Sequence, residues 1–438
     1  MTSMKESTLT QGKPARVLLQ FALPIIFSMF ATQFYAAADS MIVGRMMGQE
    51  ALAAVSNAAN VMSFFLIISG GMELGGSLLV AGRSLTSSED ELQAKIWNLL
   101  VTDLIIAIAV SGSGLFLTRW LLVATNTPAE IMDQAMVYGR IYLLGLPFLM
   151  EYDLMREILI GSGDSKKPMH MILLTSALNI LCDVLFIPHW GIAGAAFATA
   201  GAQMLGCFLT YRILRKSVLH LPLGREMLNM TCVREIGRLA PPYMFQQSSL
   251  VLLSLFRQAV LGPMGTQAIA GYSAAGRITT LMMMPVGGMC QALTVYVSQN
   301  VSLQRTERIK AGIRASYVTS LVYLIPVTIV SFFLPQAMMT LFASDNSVIQ
   351  YGCIIFNAWP LVLLLAISQN LQEAVMRGHE KMHLYLVSSI STCLLNIVFT
   401  LLLTKYAGFN GLWIANIIGN IWGAFIAFVL VRRIPQHA

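Results

Sequence analysis

The sequence predicts an all-α polytopic membrane protein: twelve transmembrane helices in two pseudo-symmetric six-helix lobes, related as a parallel repeat, with a V-shaped central cavity. Three observations predict it, namely scarce charge, twelve long apolar runs, and a repeat that lays the second half of the chain on the first. Of 438 residues, 56% are apolar or aromatic and 11% are Asp, Glu, Lys or Arg, against about 25% charged in an average soluble domain. Charge that sparse cannot cover a 48.0 kDa globule, and the mean hydropathy of +0.69 agrees. Soluble enzymes, nucleic-acid binders and disordered proteins are excluded at this step. The partner of this surface is a lipid bilayer.

The apolar runs lie at 17–43, 51–82, 96–122, 136–160, 169–188, 192–214, 239–261, 267–299, 313–341, 349–375, 383–404 and 411–431. Each reaches the roughly 20 residues that cross about 30 Å of hydrocarbon, and several are long enough to tilt. None shows the apolar-polar alternation of barrel strands, so each reads as a helix.

The net charge of +7 is informative through its distribution, because Lys and Arg favour cytoplasmic loops. With a cytoplasmic N-terminus, 21 of the 28 Lys and Arg fall on that side. They are Lys5, Lys13 and Arg16, Arg83 and Lys95, Lys166 and Lys167, six between Arg212 and Arg238, four between Arg305 and Arg314, Arg377 and Lys381, and Arg432 and Arg433. The outer side keeps Arg45, Arg119, Arg140 and Lys405. Both termini are therefore expected in the cytoplasm. Residues 1–16 are polar and the first run is too long for a signal h-region, so no cleavable signal is expected. The chain divides into an N-terminal tail (1–16), an N-lobe (17–214), a cytoplasmic linker (215–238), a C-lobe (239–433) and a C-terminal tail (434–438). Its six cysteines sit in or beside spans without metal-site spacing and read as small buried hydrophobes.

At an offset of 217, Pro24 meets Pro241, Met47-Gly48 meets Met264-Gly265, and Gly70-Gly71-Met72 meets Gly287-Gly288-Met289. Around the fourth helix the offset slips to 213, where Tyr138-Gly139 and Pro147 meet Tyr351-Gly352 and Pro360. It then recovers, with Asn179 on Asn396, Gly191 on Gly408, Gly194 on Gly411 and Ala198 on Ala415. Each half holds six spans, so both start on the same side and the repeat is parallel, its axis along the membrane normal. Two facing lobes imply a cavity and a rocking motion, as in a transporter. The halves differ in their acids: Asp39 has Phe256 opposite it, Asp183 has Thr400, and Glu73 has Cys290.

A carboxylate in hydrocarbon must face a cavity or a partner. Asp39 lies in the first span, Asn179 and Asp183 share one face of the fifth at i,i+4, and Thr199 lies in the sixth. Two carboxylates, an amide and a hydroxyl suit a hard cation such as Na⁺, or one shared proton, because two close carboxylates resist ionising together. Glu73 either lines a substrate cavity or pairs with Arg156 or Arg257. Glu151, Asp153, Arg156 and Glu157 form a cluster in which Arg156 neutralises one acid. Tyr35, Glu151, Asp153 and Arg257 are further cavity candidates, and Met283 and Met289 in the eighth span offer adaptable thioethers, although Met is equally an ordinary lipid-facing residue. Asp103 reads as structural or interfacial, and Glu373 and Arg377 as a plain i,i+4 pair. Pro24, Pro147, Pro241, Pro285 and Pro360 read as kinks or hinges.

Phosphate-loop, H-E-x-x-H and G-x-S-x-G motifs are absent from the sequence, so an ion gradient is left as the energy source. Six stretches then carry a resemblance: Ala22-Leu23-Pro24; Asp39 with Val43-Gly44-Arg45 and Gly48; Glu50-Ala51-Leu52-Ala53-Ala54-Val55; Gly163-Asp164-Ser165-Lys166-Lys167-Pro168; Gly191-Ile192-Ala193-Gly194-Ala195-Ala196; and Val297-Ser298-Gln299-Asn300. In this order, over roughly 14–433, the chain resembles the multidrug and toxic compound extrusion (MATE) family, and its polar set the DinF-like prokaryotic branch. The resemblance implies that Asp39, Asn179, Asp183 and Thr199 hold the coupling cation, H⁺ or Na⁺. It also implies a monomer that extrudes cationic or amphipathic drugs, with no cofactor. Glu73 and the Glu151/Asp153/Arg156 cluster depart from the family pattern. A lipid-linked saccharide flippase shares the architecture but usually needs a strongly basic cavity, whereas the N-lobe interior is mainly acidic. A channel or membrane-embedded enzyme is the third alternative, and no catalytic pair supports the latter.

Overall fold

The computed structural model describes residues 8–434 except 221, 223 and 225–228. Lys5, Arg225 and residues 435–438 of the expected C-terminal tail lie outside the described residues. The described chain is helical throughout, with helices α1 Pro14–Met47, α2 Gln49–Arg83, α3 Glu89–Ala124, α4 Ala129–Gly161, α5 Lys166–Trp190, α6 Ile192–Ser217, α7 Met230–Leu261, α8 Thr266–Ser302, α9 Thr306–Phe333, α10 Pro335–Thr340, α11 Asn346–Gly378, α12 Met382–Ala407 and α13 Phe409–Val431. Apart from the six-residue α10, these are the twelve long helices the apolar runs predict. Ten of them are apolar enough to cross a membrane on composition alone. The other two, α4 and α7, carry Glu151, Asp153, Arg156 and Glu157, and Arg234, Glu235, Arg238 and Arg257. One run is divided: 313–341 breaks at Leu334 (φ −128°, ψ 34°), where Pro335 starts α10. Proline disfavours helical geometry in the residue before it and cannot donate a backbone hydrogen bond.

The chain forms two compact units of six long helices. The N-lobe comprises Phe27–Met244, and the C-lobe comprises Thr8–Ile26 and the chain from Phe245 onward. Helix α1 thus changes unit two residues after Pro24, and α7 changes unit two residues after Pro242. In the N-lobe α4 packs on α2, α3 and α6, and in the C-lobe its repeat counterpart α11 packs on α8, α9 and α13. Lipid gives no hydrophobic drive for helix association, so close backbone approach by small residues matters. Gly145 of α4 illustrates it, since a Cβ there would lie 2.7 Å from that of Ala200 on α6.

The N-terminal end of the described chain and the polar linker are tied down through backbone carbonyls and amides. Arg305 donates to the Thr10 carbonyl at 2.7 Å, and Arg308 donates to those of Gly12, Leu9 and Gln11 at 2.8, 3.1 and 2.6 Å. In the polar linker, the Asn229 N–H donates to Asn98 Oδ1 at 2.7 Å and the His220 N–H to Gln93 Oε1 at 2.9 Å. Both bonds hold the linker on α3.

The repeat is also conformational. The α5–α6 and α12–α13 turns each pivot on a glycine with φ of 55°, Gly191 and Gly408, a left-handed backbone that glycine adopts without a Cβ clash. Three residues on, a Cβ on Gly194 would lie 2.5 Å from the Phe186 carbonyl oxygen, and one on Gly411 2.3 Å from that of Leu403. These glycines let the two helices of each hairpin meet at backbone contact and so fix their register. Gly194→Ala and Gly411→Ala are each expected to destabilise the protein by about 1–3 kcal/mol through overpacking. Gly201→Ala, whose added methyl meets nothing within 4 Å, is expected to leave the midpoint unchanged. Thermal unfolding in detergent checks both.

Candidate functional site

The α5–α6 hairpin brings Asn179 and Asp183 on α5 against Thr199 on α6, and the C-terminal half of α1 adds Asp39. All four belong to the N-lobe. Asp183, Asn179 and Thr199 are buried at 0%, 2% and 3% exposure. Turned to satisfy its neighbours, the Asn179 amide donates to Asp183 Oδ2 at 2.9 Å, and its oxygen accepts from the Thr199 N–H at 3.1 Å. The Thr199 hydroxyl donates to the Ala195 carbonyl at 3.1 Å. The Asp39 and Asp183 carboxyl groups lie in hydrogen-bonding contact.

Asp39 Oδ1 and Asp183 Oδ1 are buried with no hydrogen-bond partner among the described residues. Orphaned oxygens of two adjacent carboxylates, in surroundings of low dielectric, call for a compensating cation. A proton or a bare Na⁺ meets that need, and the paired carboxylate oxygens of Asp39 and Asp183 fit a hard ion. Clusters of three or more His, Cys, Asp or Glu of the kind that hold other metals are absent among the described residues.

Beside this set opens an N-lobe cavity of ≈ 290 Å³, lined by Tyr35, Glu73, Asp153, Arg156, Asn179, Thr199 and Gln203 among others. Of the four coupling candidates, Asn179 and Thr199 line this chamber together with much of the charged cluster, while Asp39 and Asp183 are not among its lining residues. Arg156 pairs with Asp153 and lies over the Tyr152 ring, 5.2 Å from its centroid. Tyr152 in turn shares a 3.1 Å hydrogen bond with Thr175. Glu73 accepts from Ser69 at 2.8 Å and feels the Arg156 charge. Glu73 lines the cavity wall, and of its two candidate arginines Arg156 is the nearby one, with its own ion pair to Asp153.

The remaining candidates lie elsewhere. Glu151 is not among the lining residues of this cavity; it neighbours Asp103, whose two buried oxygens have no partner among the described residues. Met283, Met289 and Arg257 belong to the C-lobe. Met289 is 4% exposed within α8, and Arg257 is bound by neutral side chains. Glu373 takes hydrogen bonds from Gln369 and Ser388, both at 2.9 Å, while Arg377 lies over the Tyr385 ring. All six cysteines are free thiols, buried or half-buried. Tyr138 and Gln203 were not singled out by sequence: the Tyr138 hydroxyl faces Thr199 and Gln203 faces Tyr142. Tyr138 stood in the repeat only as a marker of fold, and Gln203 had no spacing signal.

A model of the MatE family matches residues 24–185 and again 242–402, one match in each half of the internal repeat. A Bacillus subtilis relative, Probable multidrug resistance protein YoeA, is 26% identical over 340 residues, covering 72% of this chain and 71% of its own. Probable multidrug resistance protein NorM of Thermotoga maritima is 22% identical over 410 residues, covering 91% and 88%. The solved structure of a MOP superfamily transporter from Pyrococcus furiosus superposes with a TM-score of 0.89 at 23% identity, covering 99% of this chain and 97% of that one. With its twelve long helices in two repeated units and a family match in each, the chain belongs to the MatE family, the multidrug and toxic compound extrusion transporters.

Proposed function

We propose that this transporter is a cation-coupled antiporter, driven by H⁺ or Na⁺, that extrudes cationic or amphipathic compounds by alternating access. It works as a monomer in a bacterial inner membrane with both termini in the cytoplasm. The YoeA and NorM relatives are named probable multidrug resistance proteins, which supports drug extrusion. The observation that carries the coupling is the pair of orphaned carboxylate oxygens on Asp39 and Asp183, braced by Asn179 and Thr199.

In this reading a cation entering from outside joins the two carboxylates and draws α1 toward α5. Tyr35 stands one turn before Asp39 and lines the cavity, so movement of α1 reshapes the chamber and displaces substrate. Glu73 and Asp153 set against Arg156 leave the lining with one acid more than bases, which attracts a cationic substrate and suits pyrophosphate-bearing lipids poorly.

In proteoliposomes, Asp39→Asn and Asp183→Asn are each expected to cut ion-driven ethidium transport at least tenfold. Full transport and full drug resistance in Asp39→Asn would overturn the assignment. Imposing a Na⁺ gradient and a pH gradient separately identifies the coupling ion, and transport driven by neither sinks the antiport reading. Glu73→Gln is expected to raise the KM for ethidium about tenfold with kcat little changed, the pattern of lost ground-state attraction. An unchanged KM removes Glu73 from the substrate site.

A further inference from the structure

Each residue of the N-lobe coupling set can be followed 217 positions along the repeat. Asn179 leads to Asn396 and Thr199 to Asn416, while Asp39 leads to Phe256 and Asp183 to Thr400. The two neutral oxygen donors persist in the C-lobe, and both carboxylates are gone. What stands between those donors is a side chain from the next position on α7. Arg257 Nη2 donates to Asn396 Oδ1 at 3.0 Å and to Asn416 Oδ1 at 3.2 Å, and Nη1 donates to the Tyr272 hydroxyl at 3.3 Å.

The two amides are set up to receive it. Asn420 donates to Asn416 Oδ1 at 3.0 Å, and Asn396 directs its own nitrogen to the Thr392 carbonyl at 3.4 Å. Each oxygen is thereby turned toward the guanidinium. Among the described residues the acceptors around Arg257 are neutral, which is unusual for a charge inside a membrane span, where a counter-charge normally offsets the loss of hydration.

We infer that Arg257 is the resident cation of the C-lobe, a tethered guanidinium held where the repeat would otherwise take an exchangeable ion. The inference rests on the coupling site proposed for the N-lobe. Its consequence is an asymmetric machine. One lobe binds and releases its cation, whereas the other keeps α7, α8, α12 and α13 joined around a charge that never leaves. Ion coupling is thereby confined to the N-lobe although the fold is duplicated.

Chemical rescue separates this from a merely space-filling staple. In Arg257→Ala, ion-driven ethidium transport is expected to fall at least tenfold, and amide hydrogen exchange in the 391–400 and 411–420 segments to rise. Millimolar guanidinium chloride should restore both, while urea, the neutral molecule of nearly the same shape, should restore neither. Arg257→Lys, which keeps a cation, should retain more transport than Arg257→Met, which keeps only the length. Equal rescue by urea, equal loss in Lys and Met variants, or wild-type behaviour of Arg257→Ala would each overturn the proposal. Should Arg257→Ala fail to fold, recovery of monodisperse protein purified in guanidinium rather than urea becomes the readout, and recovery in both or neither counts against it. Asp39→Asn run in parallel keeps the two readings apart. Persistent coupling there refutes the N-lobe site, whereas the guanidinium-against-urea comparison still reports on the C-lobe.

Discussion

Two carboxylates cannot rest side by side in a low-dielectric interior without a positive charge to offset them. In the N-lobe that constraint falls on Asp39 and Asp183, which meet across two helices with one oxygen each left unsatisfied. The surroundings follow from it. Asn179 braces Asp183, Thr199 spends its proton on its own helix, and the cavity alongside places Tyr35, Glu73 and Arg156 within one chamber. Asn179 and Asp183 meet Thr199 across two helices, α5 and α6, that pack at backbone contact at Gly194.

The duplicated fold answers the same constraint differently in its two halves. Turn geometry is shared to the degree, with φ of 55° at Gly191 and at Gly408, and the two hub helices have equivalent neighbours. Helix packing in lipid depends on small residues and backbone contact, which tolerate no local variation. Charge is free to diverge because it touches only side chains inside the lobes. One half carries two neighbouring acids with unsatisfied oxygens, and the other carries an arginine among amide oxygens.

Much of the fold was legible because a bilayer imposes a coarse rule, that every spanning backbone group must be satisfied within its own helix. Twelve runs therefore became twelve long helices. The one misreading, the run at 313–341, arose because hydropathy does not register Pro335, where the helix divides. That Asp39, Asn179, Asp183 and Thr199 belong together was legible from i,i+4 spacing and from carboxylates placed where lipid forbids them. Less legible were contacts across helices. Spacing could not decide between Arg156 and Arg257 as the neighbour of Glu73, could not move Glu151 away from the cavity lining, and had no signal for Gln203.

The sequence by itself determined the solvent of this protein, its helices, its repeat and the residues whose charge demands an explanation, since each is a property of one helix or of a fixed offset. Tertiary structure alone decided which charges meet. It also decided that α1 and α7 change units just past their prolines and that Arg257 lies between Asn396 and Asn416. Those contacts join positions 139 and 159 residues apart, and the angle at which one helix faces another is set by packing rather than by any local pattern.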